Sequence, residues 1–148
     1  LGHAATSLGC VVGLFDLTLA QVKERQLYGE PMWKLSPISD RLAQIWTKIE
    51  ACRAMLYNAA RQIDEGTLTL PLGSACKAYI GDTAFECCSQ MLQMWGGSGI
   101  MDSTGVNRYF RDARAKMIAE GSTEIHHAVI AGVLGLGVSL GAAANRSA

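Results

Sequence analysis

Between residues 38 and 65 the chain places an apolar side chain alternately four and three residues apart, through Ile38, Leu42, Ile45, Ile49, Cys52, Leu56, Ala59 and Ile63. At 3.6 residues per turn this spacing keeps all eight on one stripe of a helix, whereas a strand, with its period of two, would scatter them over both faces. The pattern predicts a helix from about Ile38 to Glu65, roughly eight turns long. A seam of that length has to be buried against other helices, and the geometry that buries it is an antiparallel bundle with shallow crossing angles.

The flanking segments meet the same need. A helix is predicted from about Ala4 to Leu27, with Ala5, Leu8, Val12, Phe15, Leu19 and Val22 on one stripe, stopping at Tyr28-Gly29-Glu30-Pro31, where glycine followed by proline is a helix stop. A third runs from about Leu70 to Trp95, carrying Cys76, Ile80, Ala84, Cys87, Met91 and Met94 inward and ending at Gly96-Gly97. An irregular stretch from Gly96 to Gly105 leads to a short helix near Asn107 to Ala115, a break at Ile118 to Gly121, and a last helix capped by Ser122 and Thr123. No segment shows the sustained alternation of a strand. The expected fold is all-α: an up-and-down four-helix bundle of long antiparallel helices with a short extra helix, forming a single domain over residues 1–148.

Thirteen basic and thirteen acidic residues balance, without a block of either sign that could track a nucleic acid or an anionic membrane. Cys10, Cys52, Cys76, Cys87 and Cys88 are odd in number and lack zinc-ligand spacing, so they read as reduced packing residues of a cytosolic-type compartment. The tail Val129–Val138 is apolar but rich in glycine and below bilayer-spanning length, which suggests a helix end packed against another chain. The helical pattern is already running at Leu1, as expected of a fragment of a longer chain.

The irregular stretch after Trp95 is long for a connection between helices, and such loops on rigid scaffolds often carry function. Glu120 lies in it, followed by Gly121-Ser122-Thr123 at a helix start. Small residues there let a ligand approach free N–H groups, so the loop could both abstract a proton and hold an oxyanion. The alternative is an ordinary acidic first turn. Arg25, at a helix end before a glycine turn, could fork onto phosphate oxygens or simply face the helix dipole. Gly96, Gly97 and Gly99 could lie flat against a cofactor beside Gln93, or merely cap a helix. Arg108, Arg111 and Arg114 with Asp112 suggest a buried Asp–Arg network fixing the Glu120 loop. His126-His127 has no partner at ligand spacing, which argues against a metal, and His3, Met91, Met94 and Trp95 read as packing residues.

Taken together, Leu1-Gly2-His3-Ala4-Ala5-Thr6-Ser7-Leu8-Gly9, Arg25-Gln26-Leu27-Tyr28-Gly29, Gln93-Met94-Trp95-Gly96-Gly97-Ser98-Gly99, and Arg111-Asp112-Ala113-Arg114 leading to Ile118-Ala119-Glu120-Gly121-Ser122-Thr123 resemble, in order and interval, the C-terminal all-α domain of the acyl-CoA dehydrogenase family over about residues 1 to 135. The resemblance implies a flavoprotein oxidoreductase of fatty acid metabolism that oxidises an acyl-CoA thioester to the 2,3-enoyl-CoA. Glu120 would be the base, Gly121 would meet the substrate, and hydride would pass to FAD. It further implies that Arg25, Gln26, Leu27, Leu35, Ser36, Gln93, Met94, Trp95, Gly96 and Gly97 match positions reaching a flavin across a dimer interface, and that Ser122, Thr123 and Glu124 match positions lining it. N-terminal helical and middle β domains would lie outside this chain.

The partners implied are a homo-oligomer (a homotetramer, as a dimer of dimers) or a heteromer with a related subunit, and an electron-transfer flavoprotein as acceptor, in the cytoplasm or mitochondrial matrix. Leu27 and Ser36 depart from polar residues usual in the family, and Ala119 replaces a common Tyr, which implies a reshaped acyl pocket. A non-catalytic helical subunit supporting a flavin-binding partner, or an acyl-CoA oxidase, are the alternative readings.

Overall fold

The computed structural model describes residues 1–136. Three long helices, α1 (Gly2–Glu24), α2 (Ser36–Asp64) and α3 (Leu70–Trp95), are followed by a short turn of helix α4 (Gly97–Ile100) and by α5 (Val106–Ile118) and α6 (Thr123–Val133). Pro37 and Pro71 fall in the first turns of α2 and α3, where a missing N–H costs no intrahelical bond. The central helix is α3, packed against α1, α2, α5 and α6, so that α5 and α6 divide the fourth side of the bundle between them. Its burial runs nearly all round, from Ser74 to Met94, and the small residues Ala78, Gly81 and Ala84 let neighbours come close. This is the helical bundle that the 4-3 spacing predicts.

The α2 seam is buried from Leu42 to Ala59, with Ile38 half-buried. Ile63 is a correction: one residue before the helix end it has no neighbour to meet and stands 49% exposed. On α1 the buried stripe is Ala4, Ser7, Leu8, Val11, Leu14, Thr18 and Val22, rotated by one residue from the expected one, and Ala5 is exposed. The side chains that fit the close α1–α3 contact include small and polar ones, and Thr18 meets its own need by donating to the Leu14 carbonyl at 2.7 Å. The larger Val12, Phe15 and Leu19 flank the core instead. By length and composition α1 could cross a membrane; here its Ala4–Val22 face is committed to the bundle.

The first helix also ends three residues earlier than expected. Arg25 turns extended, and β1 (Gln26–Leu27) pairs antiparallel with β2 (Glu30–Pro31) across Tyr28 and Gly29, whose φ values of 55° and 81° are the positive pair a tight hairpin demands. Two-residue strands are too short to leave an alternation in the sequence. Conversely α5 continues to Ile118, three residues beyond the expected end near Ala115, and the chain breaks from helix at Ala119, inside the expected Ile118–Gly121 break. All five cysteines are free thiols, four of them buried. Of the apolar tail run, Gly137 and Val138 lie outside the described residues.

Candidate active site

At one end of the bundle α5 stops at Ile118, Ala119 turns extended, and Glu120 and Gly121 follow at φ 53° and 94° before Ser122 takes the N-cap position of α6. Glu120 and Tyr28 are the non-glycine residues with positive φ among those described, a conformation that costs on the order of 1 kcal/mol and persists only where surroundings enforce it. Here the enforcing group is Lys77 of α3. It is buried, and its Nζ donates to the Met117 carbonyl at 2.8 Å and, at shorter range, to the Gly121 carbonyl. One ammonium therefore ties the end of α5 to the start of α6 on either side of Glu120. Nearby, Thr123 Oγ1 donates to Asp82 Oδ1 of α3 at 2.8 Å, so the Thr123 side chain anchors the helix start to α3.

The Glu120 N–H has no backbone acceptor among the described residues. Its carboxylate projects outward, 78% exposed, and Oε1 lies 3.1 Å from Nε2 of His3 in the first turn of α1. Leu68, Thr69, Leu70, Ser74 and Lys77 line a cleft of about 470 Å³ with Glu120. Burial pulls the Lys77 ammonium below its ordinary pKa, opposed by the Asp82, Glu124 and Glu120 carboxylates. His126, whose ring nitrogens are both buried without a partner, is pulled down by burial and then by the Lys77 charge. Glu124 is held below the usual carboxylate range by the Ser122 hydroxyl and its own backbone N–H.

The expected Asp–Arg network is absent among the described residues. Arg108, Arg111, Asp112 and Arg114 are exposed, which avoids the desolvation cost of burying four charges. Arg114 Nη1 instead donates to Met117 Sδ at 3.5 Å, and its guanidinium sits 5.4 Å from the Phe85 ring centroid. The loop is held by Lys77 and touched by His3, neither of which the sequence singles out for this role. A lysine on the otherwise buried stripe of α3 was the available signal for the first. His3 reads as packing in the sequence, yet it faces Glu120.

The second cluster lies at the other end of α1. Arg25 Nη1 donates to the Trp95 carbonyl at 3.0 Å, fastening the β1–β2 turn to the end of α3, and Trp95 Nε1 donates to Thr18 at 3.0 Å. Met94 is buried and Trp95 half-buried, so their side chains belong to packing and their backbone alone remains for a ligand. Leu27 leans on the core, while Gln26, Ser36 and Gln93 are exposed and Leu35 caps α2. At Gly96 and Gly97 a Cβ would meet nothing within 4 Å, whereas at Gly99 it would stand 2.8 Å from Trp95 Cβ and 3.0 Å from the Leu92 carbonyl. The first two leave open space and the third permits close packing. A flat, phosphate-bearing cofactor fits this end: open backbone, the Gln93 amide, and the guanidinium N–H groups that Arg25 does not spend on Trp95.

Twenty-three residues of α1 separate the clusters, roughly 34 Å at helical rise. The structure thus brings Glu120, Gly121, Ser122, Thr123 and Glu124 together with His3 at one end, and Arg25, Gln26, Leu27, Leu35, Ser36 and Gln93–Gly97 together at the other, but not the two sets with each other.

The same helical fold is found in known proteins. Butyryl-CoA dehydrogenase from Megasphaera elsdenii superposes with a TM-score of 0.87 at 32% identity, over 90% of this chain and 35% of that one. Cyclohexane-1-carbonyl-CoA dehydrogenase of Geobacter metallireducens is 37% identical over 127 residues, 86% of this chain and 33% of the relative. The caffeyl-CoA reductase–Etf complex subunit CarC of Acetobacterium woodii is 32% identical over 134 residues, 90% and 35% respectively. The chain thus spans about a third of the length of the curated relatives it matches. Residues 1–135 match the family pattern described as acyl-CoA dehydrogenase, C-terminal domain, and the chain belongs to that family.

Proposed function

We propose that this chain is the C-terminal domain of a flavin-dependent acyl-CoA dehydrogenase that oxidises an acyl-CoA thioester to its 2,3-enoyl-CoA, with Glu120 as the base. The observation that carries the reading is the presentation of Glu120: a carboxylate on a strained turn, clamped from both sides by Lys77 and open toward a cleft. The thioester α-proton is too weakly acidic for a carboxylate in water, so the site has to stabilise charge on the thioester carbonyl. The unpaired Glu120 N–H suits that task, and Gly121 would meet the thioester through its backbone, since the place of its missing side chain is taken by His126 Nε2, 3.3 Å from where a Cβ would stand. Bound FAD supplies the acceptor for the hydride leaving the neighbouring carbon.

Arg25, Gln93 and the open backbone at Gly96-Gly97 would hold the phosphate and adenine side of the cofactor, while Ser122, Thr123 and Glu124 would border the flavin. Because the two sets lie at opposite ends of α1, each flavin would be shared between two copies, or between this chain and a related subunit, within a dimer of dimers. N-terminal helical and middle β domains would supply the rest of the flavin bed. The CarC relative, a subunit of a caffeyl-CoA reductase–Etf complex, supports an electron-transfer flavoprotein as redox partner, proposed here as the acceptor, and the proposed compartment is the cytoplasm or mitochondrial matrix. Ala119, where the family commonly has Tyr, favours a branched or cyclic acyl group over the commonest straight chains.

The test uses the full-length protein. It should purify yellow and bleach anaerobically on adding one of a panel of straight, branched and alicyclic acyl-CoA thioesters. Glu120→Gln should keep its flavin and slow bleaching by about 10³-fold or more. A variant that still bleaches at the wild-type rate removes Glu120 from the role of base, and a full-length protein that cannot be reconstituted with FAD ends the whole reading.

A further inference from the structure

We propose that His3 is a positioning residue that holds the Glu120 carboxylate in its proton-accepting pose, an inference that rests on Glu120 being the base. Glu120 projects from its loop with 78% of its side chain exposed, and among the described residues His3 is the basic group within ion-pair distance of it, Nε2 to Oε1 at 3.1 Å. A glutamate free to rotate about three torsions loses conformational entropy when it is fixed in one pose, and a base works only when held within hydrogen-bond reach of the proton it takes. Lys77 fixes the backbone that carries Glu120 but touches neither carboxylate oxygen. His3 completes the restraint from a separate helix.

The two nitrogens of His3 are placed differently. Nε2 lies 3.1 Å from Oε1, and because a carboxylate only accepts, a hydrogen bond between them needs the proton on Nε2. Nδ1 is buried with no partner, a setting that suits a bare lone pair better than an N–H with no acceptor. In this tautomer the ring would donate to Oε1 and leave Oε2 for the substrate. As the α-C–H bond breaks, the proton passes to Oε2 and the bonding electrons stay on the substrate, spread onto the thioester carbonyl; the imidazole keeps its proton throughout. His3 therefore positions the base without acting as one.

Full-length, flavin-loaded His3→Leu and His3→Gln are compared with wild type, flavin content confirming that each is folded. The Leu variant should lose about tenfold in kcat with KM within about twofold, and the Gln variant, whose amide can donate over a similar reach, should recover to within about threefold of wild type. In [15N]histidine-labelled protein, His3 should show a protonated Nε2 and a bare Nδ1, and this preference should disappear in Glu120→Ala. A Leu variant with wild-type kcat, a Gln variant no better than Leu, or a proton found on Nδ1 overturns the inference while leaving the dehydrogenase reading in place. Should no acyl-CoA bleach the wild type, the dehydrogenase reading fails and the positioning role goes with it, and the nitrogen spectra then report only on whether His3 and Glu120 pair.

Discussion

The β1–β2 turn and the loop between α5 and α6 share a backbone device and secure it by different means. Each places a non-glycine residue in the left-handed region and follows it with glycine, Tyr28-Gly29 at one end of α1 and Glu120-Gly121 at the other. At the first, strand pairing closes the turn and the Tyr28 side chain is left 96% exposed. At the second no strand pairs among the described residues, and a single buried ammonium reaching from α3 holds the carbonyls on both sides. A turn closed by its own backbone tolerates change in its side chains. A loop closed by one distant lysine depends on that side chain, which makes the Glu120 end the more precisely set and the more easily broken.

The contrast can be broken most severely at Lys77. Lys77→Met should remove the clamp and leave two carbonyls without a donor, a loss of about 3 kcal/mol. Hydrogen exchange should then quicken around Glu120–Glu124 and stay unchanged at Gln26–Pro31; equal loss at both ends would mean that they are not separately held. Arg25→Ala acts at the opposite end and should weaken FAD binding about tenfold, near 1.4 kcal/mol, without slowing bleaching once flavin is saturating. Slower bleaching at full occupancy would erase the division of labour between the ends.

The smallest effect concerns His126, whose folded-state pKa lies below the ordinary 6.5 because burial opposes its charge. Below that value the unfolded chain binds more protons than the folded one, so His126 contributes stability that is present above pH 6.5 and lost as the pH falls through the folded value. The melting temperature of wild type should drop more steeply than that of His126→Gln as the pH falls below 6.5. Parallel slopes would show that the ring is not held neutral.

The bundle was legible because long helices write their packing into a repeating pattern: α3 runs from Leu70 to Trp95 as its spacing predicts. Patterns of that kind fail at ends and on helices with two apolar faces, which is why Ile63 is exposed and the α1 stripe is turned by one residue. The Glu120 loop was legible as a motif, but what supports it was not. Lys77 acts on Gly121, 44 residues away, and His3 reaches Glu120 from the other end of the chain, so both roles come into being only through tertiary contact. The arginines beside the loop carry charge at helical spacing, a pattern that a solvated face writes just as well as a buried network does.

Gly99 touches no proposed ligand, yet it sits behind the whole Arg25 end. Any side chain there would drive into Trp95 and Leu92, and Trp95 is the residue through which Arg25 and Thr18 are joined to α3. On the proposed function, an inherited or engineered change at Gly99 would present as a protein that sheds its flavin on purification, with the Glu120 loop and its cleft still intact. In a screen of variants it would be scored among the flavin contacts, and supplementing the growth medium with a flavin precursor would rescue it where the same treatment could not rescue a lesion at Glu120.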